Sequence, residues 1–226
     1  MQSPVNTARD ILVVALALAG PGVIALASQV SVRGRQADVG HAAPWLFAFI
    51  VLVSVIWLFG VRNAGRKPGD VGIVWPPTAA SLLLATALTV FFVFVYGPLV
   101  YDLFARLGLS GFEQGQARLA ALPPWYLALA IVIVAGSEEW LYRGLAIPLL
   151  ERLTGNVWLA AAISLLAFAL AHLPLWGVGA SLSTLVAGVI FTALFIWRRD
   201  ATGLIIAHIA TDLYGLLIAP IFAGNV

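Results

Sequence analysis

The chain has no cysteine, so it has no disulfide, no thiolate metal site and no cysteine nucleophile, and its redox compartment is left open. Charge is also scarce. Asp, Glu, Lys and Arg make up 10% of the 226 residues, where a soluble domain carries about 25%. There are three histidines and no HExxH sequence to place paired zinc ligands on one helix. No segment is low in complexity, and no period of roughly 20 to 50 residues marks a repeat array. What fills the chain is apolar: 62% of positions are hydrophobic and the mean hydropathy is +1.02. Such a chain is expected to be an integral membrane protein. Its formal net charge of +2 comes mostly from Lys and Arg in short segments between apolar runs, a pattern that orients a protein in a bilayer and gives no reason to expect nucleic-acid binding.

An apolar run needs about 20 residues to cross a hydrocarbon core of roughly 30 Å, and seven runs qualify. They are residues 11–30 behind Arg9; 45–61, with Arg62, Arg66 and Lys67 beyond; 79–100; a fourth from Trp125, whose far end Pro148 obscures; 156–172; 176–197; and 203–222. None alternates in polarity as a barrel strand does. The expected fold is therefore all-α, a polytopic transmembrane helical bundle of about seven spans forming a single domain over 1–226. The first run resembles a signal peptide ending at Ala25-Leu26-Ala27. Because it stays apolar past Ala27, an uncleaved anchor is expected. The stretch 101–122 sets Phe104, Leu107, Leu109 and Phe112 among Asp102, Arg106, Glu113 and Arg118, which predicts a helix lying on the membrane surface. Seven crossings put Arg9, Arg62, Arg66, Lys67, Arg152, Arg198 and Arg199 on one side against Arg33, Arg35, Arg106 and Arg118, which predicts a cytoplasmic N-terminus.

Ionisable residues inside a span are costly and usually mark a working site. The fourth run holds Glu138, Glu139 and Arg143 together. On a helix Glu139 and Arg143 share a face with the acid on the N-terminal side, the favourable order for an ion pair. Glu138 is turned away by about 100°. Arg143 is thus expected to neutralise and orient Glu139, leaving Glu138 for proton transfer; the plainer reading is a structural charge cluster near a helix end, with its long side chains reaching the interface. His208 and Asp212, four apart in the seventh run, must face protein or water, and otherwise serve as an interhelical hydrogen bond. His172 closes the fifth run one turn after Phe168, where a lone histidine is usually a hydrogen-bonded helix end. His41, beside Asp38 and Gly40, reads as solvated. Gly136 and Gly144 flank the charged cluster and permit close approach of a helix or a substrate.

Three ordered motifs connect these residues. Glu138-Glu139-Trp140-Leu141-Tyr142-Arg143 resembles an EExxxR motif, Phe168 to His172 an FxxxH motif, and His208 to Asp212 an HxxxN/D motif. Together they resemble the CPBP family of intramembrane proteases, which includes the CAAX prenyl endopeptidases and the bacterial Abi or bacteriocin-immunity proteins, over about residues 125–219. The resemblance implies an intramembrane endopeptidase in a bacterial or archaeal cell membrane, acting on a membrane-associated peptide or protein. It implies that Glu138 and His172 activate a water, and that His208 and position 212 stabilise the oxyanion. Carboxylate and imidazole suit proton transfer, whereas an oxyanion needs donors. An ionised Asp212 cannot donate. Asp212 is therefore either protonated, or accepts from His208 and fixes that imidazole as the donor; the second is expected.

Other readings remain open from the residues alone. Glu138, His172 and His208 are a ligand set a catalytic zinc could use, and a water held without metal by Glu138 and His172 serves equally. Two histidines on different helices also suit a haem. A transporter places Glu, His and Asp at membrane depth, although no inverted repeat with broken helices is visible. A non-enzymatic immunity protein or scaffold would use the fold for binding alone. Depth poses one difficulty. Glu138 lies about 20 Å of helix from Trp125 and His208 about 8 Å from Gly203, but His172 lies about 24 Å from Asn156, so it joins them only if the segment 143–153 is irregular or the fifth helix begins outside the hydrocarbon.

Overall fold

The computed structural model describes residues 4–31, 38–109 and 112–222, excepting the side chains of 4–6, 105 and 112–114. Arg33, Arg35 and the side chains of Phe112 and Glu113, which entered the sequence expectations, lie outside this set. Ten α-helical segments follow in chain order: α1 Pro4–Ser31, α2 Val39–Trp57, α3 Ala79–Phe91, α4 Gly97–Arg106, α5 Phe112–Ala120, α6 Pro124–Glu139, α7 Ile147–Thr154, α8 Val157–Arg198, α9 Thr202–Leu213 and α10 Ala219–Phe222. Wider π turns at Phe92–Tyr96, Trp140–Ala146 and Tyr214–Ile218 join α3 to α4, α6 to α7 and α9 to α10, so each pair runs on as one helix. Among the described residues there is no strand. The all-α polytopic architecture is as expected.

Among the described residues six helices are long and apolar enough to cross a membrane when 157–198 is counted once, and the difference from seven runs arises there. The fifth and sixth runs are two helical arms that meet at Gly177, where φ is 78° and ψ −176°. That backbone conformation is open essentially to glycine alone. The chain folds back there: the Ser181 hydroxyl donates to the Ala169 carbonyl at 2.6 Å, a contact that a straight helix would stretch to about 18 Å. The arms 157–176 and 178–198 therefore lie side by side, each of a length that spans a bilayer.

Without a hydrophobic drive between lipid-solvated helices, packing rests on small residues and interhelical polar contacts. At Gly203 a Cβ would sit 2.9 Å from the Ser81 carbonyl, so α9 and α3 meet backbone to backbone. The same junction is tied by Asp200, which is buried, accepts from the Ser81 hydroxyl at 2.6 Å and caps α9 by accepting from the Thr202 N–H at 2.9 Å. Such caps satisfy helix N–H groups that have no partner within the helix.

The basic residues sort to two ends. Arg66 pairs with Asp10 at 2.6 Å, Arg9 donates to the Asn63 carbonyl at 3.3 Å and Arg199 pairs with Glu151 at 2.7 Å. Residues of the 69–72 loop line one cleft with Glu151, Arg152 and Arg199. Arg118 bonds Gln29 at the opposite end. The 101–122 stretch is not one surface helix. α4 extends the third run to Arg106, whereas α5 packs on the fold of α8, with Gly115 against the Trp176 ring.

Candidate active site

The helix that carries Glu138 does not stop at Pro148. Proline lacks an N–H and crowds the carbonyl four residues back, which ordinarily ends an α-helix. Here the π turn Trp140–Ala146 precedes it and the helix continues to Thr154. This resolves the depth difficulty between Glu138 and His172. Glu138 stands 16 residues before Thr154 and His172 stands 16 residues after Asn156, about 24 Å of helix from the same turn in both cases. The irregular segment is a smooth π turn, and the useful reference is the turn at 154–156, not Trp125.

Glu139 and Arg143 are each 1% exposed, and Arg143 Nη1 donates to Glu139 Oε1 at 3.0 Å. The same oxygen faces His208 Nδ1 at 3.0 Å. Arg143 is held on its other sides by the ring of Phe168, 4.1 Å from Cζ, and by the Thr192 hydroxyl, 3.4 Å from Nε. Glu139 is therefore more than a local counter-ion, because it ties α6 to α9. The expectation that Asp212 fixes His208 needs correction: His208 Nε2 lies 3.6 Å from Asp212 Oδ2, an ion-pair distance too long for a hydrogen bond. Glu139 is what fixes the ring.

Among the described residues Glu138 makes no hydrogen bond. It lines a mostly apolar cavity of about 1430 Å³ together with Glu139, His172, His208 and Asp212, so the structure brings the sequence-selected residues of α6, α8 and α9 to one place. His172 Nδ1 lies 2.8 Å from the Phe168 carbonyl. A carbonyl only accepts, so Nδ1 carries the proton, and in the neutral ring Nε2 is left as an acceptor. Both imidazoles pack on Phe168, with centroids at 4.7 Å for His172 and 6.5 Å for His208. The FxxxH phenylalanine is thus the common floor under two histidines and the guanidinium.

Residues that the motif reading passed over also shape the site. Thr192 seats Arg143. Gly144 admits the carbonyl of Val71, which a Cβ there would strike, whereas Gly136 lies against Ile205 and Ile209 of α9. At the far end the cavity reaches Gln29, Asp38, His41 and Arg118. His41 is not simply solvated, since Nδ1 lies 2.6 Å from Asp38 Oδ2. The His41 N–H and ring hold the Asp38 carboxyl below the usual carboxylate range.

Zinc can be tested against this geometry. No three His, Asp or Glu side chains among the described residues stand together as a metal-binding group. His208 commits Nδ1 to Glu139 and keeps only Nε2, 3.6 Å from Asp212, and no group of three metal-binding side chains forms around it among the described residues. The arrangement does not fit a zinc ion, and no step below passes through one.

The described residues thus form a polytopic helical bundle with carboxylates and imidazoles gathered beside a mostly apolar cavity. Residues 120–214 match the family described as type II CAAX prenyl endopeptidase Rce1-like. The match supports the CPBP or CAAX protease family that the three motifs resemble. It covers fewer than half of the residues of the chain and contains all six residues named above. No curated protein and no solved structure matches the chain.

Proposed function

We propose that the protein is an intramembrane endopeptidase of a bacterial or archaeal cell membrane, with a membrane-associated peptide or protein as substrate. The observation that carries this reading is the contrast between two neighbouring carboxylates. Both border the cavity, but Glu139 is almost fully buried and gives Oε1 to Arg143 and His208, whereas Glu138 is half-buried and has no hydrogen-bond partner among the described residues. A general base has to reach the proton it removes, and Glu138 meets that condition.

In the proposed reaction a water sits between Glu138 and His172 Nε2. Glu138 takes its proton as the water oxygen bonds to the scissile carbonyl carbon. Charge gathers on the carbonyl oxygen, which faces Nε2–H of His208 as the imidazolium, its Nδ1–H donated to Glu139 Oε1 and Asp212 3.6 Å from Nε2 as a nearby countercharge. The C–N bond then breaks as Glu138 returns the proton to the departing nitrogen, giving a carboxylic acid and an amine, between which the remaining proton of the water then passes. Arg143 and Glu139 position the machinery without touching substrate. The family name refers to prenylated CAAX proteins; for this chain the proposal is confined to the broader substrate class.

The test compares the N-termini of the membrane proteome in cells expressing the wild type and Glu138→Ala at equal levels. Neo-N-termini present only with the wild type support the reading. Identical profiles overturn it.

A further inference from the structure

The second arm of α8, residues 178–198, carries none of the three motifs, yet it holds the seat of Arg143. Gly188 and Thr192 are four apart on that arm and so share one helical face. Thr192 lies 3.4 Å from Arg143 Nε. At Gly188 a Cβ would stand 3.0 Å from Arg143 Nη2 and 2.6 Å from Leu165 Cδ1. Both arm residues are buried. The guanidinium is therefore enclosed on four sides, by Glu139 along its own helix, by the Phe168 face, by Thr192 and by the notch that the missing side chain of Gly188 leaves.

We propose that Gly188, with Thr192, is a positioning residue for the reaction: its bare backbone sets Arg143, Arg143 sets Glu139 Oε1, and that oxygen sets the imidazole of His208. The inference rests on the proposed peptidase reading for its link to turnover, but the mechanical chain from Gly188 to His208 stands apart from it. Gly188→Ala drives a methyl group into both Arg143 and Leu165. A Cβ contact at 3.0 Å forces the neighbour to shift by a few tenths of an ångström, and Arg143 has no slack against the Phe168 ring. A misplacement on the order of 1 Å in catalytic geometry costs up to about a hundredfold in rate, so a shift of a few tenths of an ångström should cost several-fold.

The test separates ordinary overpacking from loss of position. Leu165→Ala removes the atom that Gly188→Ala strikes hardest, so the double variant Gly188→Ala/Leu165→Ala should regain the melting temperature of Leu165→Ala alone. Its kcat on a quenched-fluorescent peptide spanning a cleavage site mapped for the wild type should stay about three- to tenfold below that of Leu165→Ala, with KM little changed. The second readout needs no activity. With ¹⁵N-histidine labelling, three histidines are few enough to assign by substitution. The His208 Nδ1 resonance should move in the double variant and hold still in Leu165→Ala. A double variant with the turnover of Leu165→Ala and an unmoved His208 resonance overturns the proposal. A moved resonance with no peptidase activity even in the wild type keeps the positioning chain and instead defeats the proposed function.

Discussion

Replacing Arg143 with Met should be among the most damaging single changes in the chain, and the structure sets its size. Arg143 Nη1 and Glu139 Oε1 are 3.0 Å apart with both side chains almost fully removed from solvent, so the surface discount on ion pairs does not apply. At an effective dielectric of about 20, charges at this distance attract by about 5 to 6 kcal/mol. Desolvation opposes this by several kcal/mol per ion, so the pair as a whole adds little over an apolar one, while removal of one member strands the other at about 3 to 5 kcal/mol. The Met thioether keeps part of the contact with Phe168, which makes charge the main variable. Arg143→Met should therefore lose about 3 to 5 kcal/mol on unfolding in detergent–SDS mixed micelles, and Glu139→Gln less, because its amide oxygen still accepts from Arg143 and its amide can bond His208. The double variant should fall within about 2 kcal/mol of wild type, the non-additivity expected of contacting residues. A loss below about 1 kcal/mol for Arg143→Met, or strict additivity in the cycle, refutes the account of the buried pair.

Glu138→Gln should abolish cleavage while leaving the fold intact, whereas Asp212→Asn should keep appreciable activity, because Glu139 and not position 212 fixes His208; a quenched-peptide assay with equal rates for Glu138→Gln and wild type sinks the general-base assignment. Purified active protein should contain less than about a tenth of a zinc per chain by elemental analysis and keep full activity after chelation, since no three His, Asp or Glu side chains among the described residues form a metal-binding group; stoichiometric zinc lost together with activity would contradict this. Gly177→Ala should cost about 1 to 3 kcal/mol, the strain of a side chain at φ 78°, seen as a lower SDS midpoint; an unchanged midpoint would mean that the fold-back does not depend on glycine.

What could be read from the sequence follows the range of the physics involved. Bilayer residence follows from composition, and the Glu139–Arg143 pair from a spacing of four on one helix. The bond from His208 to Glu139 joins positions 69 apart, and no local pattern reports it. The fold-back at Gly177 was legible only as a gap between two apolar runs; its hand and closeness come from contacts such as Ser181 to Ala169. Pro148 misled because a proline normally ends a helix, and the π turn before it leaves no plain mark in residue types. Asp200 passed unnoticed as one acid beside Arg199 in a turn, although burial makes it the tie between α3 and α9.

The two glutamates show how one residue of offset separates two duties. Turning by about 100° along the helix buries one carboxylate at the cavity's edge, where Arg143 and His208 share Oε1, and leaves its neighbour half-buried in the cavity wall without a hydrogen-bond partner among the described residues. Neither duty suits the other position. A carboxylate clamped between two donors has little freedom to exchange a proton with water, and a carboxylate open to the cavity cannot anchor a histidine on another helix. The paired acids are therefore best understood as one buried orienting group and one reactive group that share a backbone. Glu139 restrains His208 across two helices as a carboxylate that Arg143 itself holds in place, in a bundle whose other interfaces rest on small residues and weak polar contacts.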